Sequence, residues 1–417
     1  MRILKSSLAA LLALPQSNGA PTPSTRNLSQ PHTTISPKVF IISMFTPETK
    51  IWHNIPDFNL LAHNISLPGL SPQYPFIHCT PDYTICQITT GEGEINAAVT
   101  ISALLFSSSS SSSSTTTNKP MHFNLTKTYF LIAGIAGISP HHGTTGSVTF
   151  PRFAVQPALA YEIDSRELPP SYSTGYIPQG GTEPGSFPRT VYGTEVFALN
   201  GDLVRLAARW AREEEEEEIA GAGLDGGDDE VVRAYRAKYG TEDGRYAAAT
   251  RAPGIEECDT ATGDVYFAGR ILAEAVENTT RALTAGRGVY CTSQQEDNAT
   301  LEALLRGAKS GLVDFRRVVI MRAGSDFDRP YPGQTALEGL MAAADQGGFG
   351  IAVRNLYVVG RVVIRELLAG WEEGFKDGIK GDGGYVGDVW GTLNGGVAPE
   401  FGVGMEGGEQ GIEAKRG

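Results

Sequence analysis

An α/β fold around a largely parallel sheet is what this 417-residue chain predicts. Three observations carry that expectation. Short, continuous apolar runs of buried-strand type recur along the chain. Stretches of helical character follow several of them, an alternation that builds parallel sheets. The candidate chemistry then falls just past the carboxyl ends of these runs, where such sheets bind ligands.

Residues 1–20 read as a signal peptide, with Arg2 and Lys5 ahead of the apolar Leu8 to Leu14 and the small residues Ser17 to Ala20 for cleavage. That run is too short for a spanning helix, which needs roughly 20 apolar residues. Residues 21–37, rich in Pro, Ser and Thr, read as an exposed leader. A single domain is expected over 38–392, with the Gly-rich 393–417 as a flexible tail.

Within the domain, Val39 to Ile42 is the first strand, and Thr46-Pro47-Glu48 opens a helix. Tyr83 to Thr90 is a second strand, leading through Gly91-Glu92-Gly93 into a helix whose apolar side is Ile95, Ala98, Val99 and Leu104. Thr128 to Ala133 is a third, ending in Gly134-Ile135-Ala136-Gly137, and Gly146 to Phe150 is a short fourth. Arg317 to Met321 ends in Ala323-Gly324-Ser325-Asp326. Residues 335–345 and 350–375 read as helices, the second with Val358, Val359, Val362, Val363 and Leu367 on its apolar side. Residues 107–118 and 213–229, polar and charged low-complexity stretches, are expected to be surface loops. Residues 152–192, dense in Pro, Gly, Ser and Tyr, fit either a lid over a pocket or a structural wrap.

Composition narrows the function. With 47 acidic against 34 basic residues, a net charge of −13 disfavours nucleic-acid partners. Four cysteines fit an oxidising compartment, with Cys258–Cys291 and Cys79–Cys86, the latter across a tight hairpin, as the expected pairs. No CxxC spacing suggests zinc. Asn27, Asn64, Asn124, Asn278 and Asn298 each begin an Asn-x-Ser/Thr triplet, which together with the leader points to a secreted protein. Gly91-Glu92-Gly93 lacks the third glycine of a dinucleotide site, and GxSxG, HExxH and P-loop motifs are missing. No metal, cofactor or membrane-spanning segment is therefore expected.

Three carboxyls stand out. Asp326 emerges from a buried strand, where poor solvation raises its pKa and retains a proton to donate. Two readings are open there, since Asp326 also suits a helix cap or a pairing with Arg322. Glu296, at a helix start, suits two neighbouring sugar hydroxyls or the helix dipole. Glu48, in a first helical turn, is a base for water or a dipole partner. Tyr266 and Phe267, adjacent aromatics near the Gly263 turn, suit either stacking on a base or core packing.

Taken in order, the stretches Ile41-Ile42-Ser43-Met44-Phe45-Thr46-Pro47-Glu48, Thr90 to Ala98, Ala133 to Pro140, Cys258-Asp259-Thr260 with Gly263-Asp264, and Glu296-Asp297 with Arg322 to Asp326 resemble the fungal purine nucleoside permease family. More distantly they are similar to the nucleoside phosphorylase and methylthioadenosine nucleosidase superfamily. That resemblance implies a phosphorylase-like three-layer fold with a central mixed sheet, a nucleoside substrate, and a homo-oligomer. It assigns Asp326 to protonation of the purine, Glu296 to the ribose hydroxyls, Tyr266 to stacking on the base and Glu48 to activation of water. Gln295, Phe267, Gly134 and Ser325 join as substrate-binding positions, with Gln295 standing where the family pattern has methionine. The arginine and serine that hold phosphate in phosphorylases are missing from Ile132-Ala133-Gly134-Ile135. This favours hydrolysis of the N-glycosidic bond, ahead of phosphorolysis or a soluble nucleoside-binding role in uptake. The Asn298 sequon, two residues from Glu296, is expected to be buried.

Overall fold

The computed structural model describes residues 33–106, 112–114, 120–216, 224–227, 230–379 and 384–401. The signal-peptide expectation lies outside them. Strands β1 (Thr33–Ile35), β2 (Val39–Ser43), β3 (His63–Ser66), β4 (Ile77–Cys79) and β5 (Ile85–Thr89) come first, with helix α1 (Thr46–Lys50) after β2. Helix α2 (Glu94–Phe106), β6 (Ser112–Ser114), β7 (Pro120–Phe123), β8 (Tyr129–Ile138), β9 (Val148–Thr149) and β10 (Phe153–Val155) follow. A hairpin of β11 (Ala160–Glu162) and β12 (Tyr176–Pro178) precedes β13 (Val196–Ala198), α3 (Gly201–Glu216) and α4 (Glu230–Ala237). The chain continues through β14 (Ile255–Glu256), β15 (Asp259–Thr262), α5 (Arg270–Leu283), β16 (Tyr290–Gln294), α6 (Asp297–Lys309) and β17 (Val318–Phe327). It finishes with α7 (Ala336–Met341), α8 (Gly348–Ala369) and β18 (Gly387–Asp388).

The large sheet is mixed. Its centre is parallel, with β2 between β5 and β8, and β17 along almost the whole of β8. Beyond the centre, β16 meets the end of β8 antiparallel, then β15 and β10 continue parallel and β13 and β18 antiparallel. The central strands carry uninterrupted apolar runs because both faces are covered. Val39 to Ile42, Phe130 to Ile132 and Val318 to Met321 belong to one buried cluster with Leu356, Val359 and Val363 of α8. Helix α8 lies along β17 and β8, α3 packs on α8, and α2 pairs with α6. Gly360 of α8 leaves room for the Trp52 ring, which a methyl there would overlap.

Both expected disulfides are present. Cys79 and Cys86 face each other in the β4–β5 hairpin, and Cys258 joins Cys291 of the neighbouring strand β16. Several sequence expectations need correction. Residues 33–35, placed in the exposed leader, form β1 against β7, and Ile35 is buried because it completes the apolar cluster. Helix α2 buries Ala97, Ile101, Leu104 and Leu105, while Ile95 and Val99 are exposed. It is apolar nearly all round, so residue spacing does not select the face that packs on α6. Ser112–Ser114, within the expected loop 107–118, is a strand between β3 and β7, recruited by backbone pairing rather than side-chain character. The first residues of the expected 213–229 loop continue α3, where Glu214 pairs with Arg361 and Arg365 of α8. In the glycine-rich tail, Phe401 is buried against Phe153, with ring centroids 5.3 Å apart.

Candidate active site

One cavity of about 750 Å³ opens at the carboxyl ends of the central strands. Glu48, Glu296, Gln295, Tyr266, Phe267, Ser325 and Asp326 all line it. Gly134 does not. An added methyl at Gly134 would overlap Met44 and stand 2.5 Å from Arg322 Nη1 and 2.9 Å from Glu48 Oε1. A glycine is thus required there by close packing against Met44, Arg322 and Glu48.

Glu48 comes from the first turn of α1, and its carboxylate is pinned by two backbone donors. Met44 N–H donates to Oε2 at 2.9 Å and Ile135 N–H to Oε1 at 2.7 Å. Burial pushes its pKa up to about 8, against the pull of Arg322 and with a further push from Glu296. Glu296 stands just before α6. Its Oε1 accepts from Gly93 N–H at 3.1 Å and its Oε2 faces Arg322 Nη2 at 3.2 Å. Gln294 Oε1 accepts from the backbone of Glu296 and Asp297, so the helix start is capped without using the glutamate side chain.

Arg322, on β17, is only 1% exposed and every group on its guanidinium is occupied. Asp297 takes Nη2 at 2.7 Å and Nε at 3.2 Å, Ile135 carbonyl takes Nη1 at 3.0 Å, and Glu296 shares Nη2. An arginine buried in a strand must find carboxylates, since an unpaired buried charge is costly. Asp326 is not one of them, so neither the cap nor the Arg322 pairing describes it.

Asp326 sits after a bulge. Gly324 pairs with Ala136 and Asp326 with Gly137, leaving Ser325 as the extra residue. A bulge re-aims side chains, which is why the consecutive Ser325 and Asp326 both reach the cavity. Ser325 Oγ–H donates to Asp326 Oδ1 at 2.7 Å, and Tyr266 O–H donates to Oδ2 at 2.7 Å. Burial raises the Asp326 pKa, and these two donors oppose the rise. Tyr266 therefore meets the acid through its hydroxyl, a contact the aromatic-stacking expectation did not contain. Gln295 donates to the Asp264 carbonyl at 2.9 Å, at the lip of the same loop.

Sequence reasoning missed Met44, Phe45 and Phe349, which also line the cavity, with the two phenyl rings edge to face at 6.2 Å. It also treated Arg322 solely as a partner for Asp326. The signal for its true role was available: Arg322 is the one basic residue of the buried strand β17, and Glu296 and Asp297 are adjacent acids at the buried start of α6.

The decisive comparison concerns sequence. The pattern of the purine nucleoside permease family matches residues 36–380. The chain belongs to that family. A purine nucleoside permease of Candida albicans is 42% identical over 390 residues, covering 91% of this chain and 88% of the relative. A probable purine nucleoside permease of Schizosaccharomyces pombe is 39% identical over 379 residues, covering 89% and 98%. Among solved structures, a methylthioadenosine/S-adenosylhomocysteine nucleosidase of Neisseria meningitidis aligns over 80% of this chain and 99% of its own, at 14% identity and a TM-score of 0.43. A futalosine hydrolase of Helicobacter pylori aligns over 79% and 98%, at 13% identity and the same TM-score of 0.43. Among the described residues of this purine nucleoside permease family member, no helix is long and apolar enough to cross a membrane.

Proposed function

We propose that the protein hydrolyses the N-glycosidic bond of purine nucleosides, releasing the free base and ribose. The observation that carries this reading is that three buried carboxyls, Glu48, Glu296 and Asp326, line one cavity. Protonated Asp326 donates to the purine N7 as the bond from C1′ to N9 breaks and its electron pair passes to the base. Glu48 takes a proton from the water whose oxygen bonds to C1′. Glu296 accepts hydrogen bonds from the ribose hydroxyls and faces the positive charge that develops on the sugar. The proton gained by Glu48 leaves to solvent and Asp326 is reprotonated from it, which closes the cycle.

Water is favoured over phosphate as the acceptor because the cavity offers phosphate no cation. Arg322 is the sole basic residue in its described lining, and Asp297, Glu296 and Ile135 already occupy it. Cleavage outside the cell would deliver free base to a separate carrier, a role consistent with the family name. The two disulfides and the exposed sequon at Asn124 support an extracellular setting. Asn298 is a different case, because it is buried and donates to the Thr194 carbonyl.

The test is incubation of purified protein with inosine, adenosine and uridine, with and without phosphate, followed by chromatography. Phosphate-independent release of hypoxanthine and adenine is the expected result, lost by about 10²- to 10⁴-fold in Asp326→Ala. Ribose 1-phosphate as the product, or binding with no turnover, would overturn the reading.

A further inference from the structure

The cavity is larger than a nucleoside needs. Its volume is about 750 Å³, whereas a purine nucleoside, with about 19 non-hydrogen atoms, takes roughly half of that at protein packing density. The lining includes a face of α5, a helix that starts beside Asp328 and so lies on the Asp326 side.

Helix α5 forms one wall of the cavity there. Leu272, Ala275, Val276 and Thr279 all line the cavity, and their spacing places them on one helical face. The helix is held next to the acid, because Gly269, its N-cap, donates to the carbonyl of Asp328, two residues after Asp326. The opposite wall comes from the segment after β10. Since β10 runs parallel beside β15, with Val155 opposite Ala261, Ala158 reaches the Gly263 turn. The β11–β12 hairpin then covers the outer side with Ala160, Glu162 and Tyr176. The segment 152–192 is accordingly in part a cavity wall, and the chamber it closes with α5 is mainly apolar.

We infer that this chamber receives an apolar substituent carried at C6 of the purine, on the edge that also presents N7. The inference rests on the proposed orientation, in which N7 faces Asp326. A group attached at C6 or on the exocyclic N6 leaves the ring on the same edge as N7, and is thereby directed past Asp326 and Asp328 toward the α5 face. The substrate class is then N6-substituted adenine nucleosides with hydrocarbon or aromatic substituents, in addition to the unsubstituted compounds.

Free bases test this without dependence on turnover. Calorimetry with the full chain compares adenine, N6-benzyladenine and 9-benzyladenine, the last of which carries its ring toward the ribose end. N6-benzyladenine is expected to bind at least about tenfold tighter than adenine, from burial of one aromatic ring, and tighter than the 9-benzyl isomer. Filling the chamber by Ala275→Phe or, separately, Thr279→Phe should lower the ratio of N6-benzyladenine to adenine affinity at least tenfold, with circular dichroism reporting the fold of each variant. No gain from the N6-benzyl group, an equal gain from the 9-benzyl group, or an unchanged ratio in a folded variant would overturn the inference. Should neither variant fold, the comparison of the two isomers on the unmodified protein decides. The nucleosidase reading fails separately: adenosine left intact alongside a strong N6-benzyl gain sinks hydrolysis and spares the chamber, while cleavage without the gain does the reverse.

Discussion

Asp326 has a hydrogen bond from Tyr266 that stabilises its ionised form, and ionised Asp326 is the wrong state for an acid. Tyr266→Phe removes that donor, so the Asp326 pKa should rise further. The expected outcome is that the limb of kcat/KM set by Asp326 moves to higher pH, read from the pH–rate profile. An unmoved limb would place the titration elsewhere. Glu48 works in the opposite sense. It must lose its proton to act as a base, and burial holds its pKa up to about 8. Activity requires ionised Glu48 and protonated Asp326 together, so the pH–rate profile should be a bell. In Glu48→Gln the limb set by Glu48 should vanish, with kcat/KM down by about 10²- to 10⁴-fold.

At the scale of elements, the site depends on three junctions meeting: the end of β2 with α1, the end of β16 with α6, and the bulged end of β17. Arg322 ties the last to the second through Asp297 and Glu296. Replacing it by methionine leaves two buried carboxylates without their cation, which should cost about 3–5 kcal/mol of stability in thermal or denaturant unfolding. The same change removes a charge that lowers the Glu48 pKa, so any surviving activity should have the limb set by Glu48 displaced to higher pH. A neutral stability effect would mean that the pair is not formed in solution.

The molecule as a whole is acidic, and so is the cavity. Glu48, Glu92, Glu162, Glu296, Asp326 and Asp328 line it against Arg322 alone, within a chain of net charge −13. A phosphorylated ligand would bring more negative charge to a site with no free cation. Adenosine should therefore be preferred over adenosine monophosphate on the order of 100-fold in kcat/KM, a ratio that narrows as salt rises. Comparable rates for the two, or a ratio insensitive to salt, would count against the electrostatic account.

Local chain chemistry determined the central strands, several helices, the hairpin pair Cys79–Cys86 and the acids at the strand ends, because apolar runs and turn residues act over a few neighbours. Val39 to Ile42 and Val318 to Met321 announce buried strands through composition alone. Tertiary structure decided what those residues face. The buried side of α2, the strand made from Ser112–Ser114, the α5 wall and the partners of Arg322 depend on elements far apart in the chain. Packing and charge pairing act through space, and a linear pattern that is apolar on every side, or charged with several acids in reach, does not rank its alternatives.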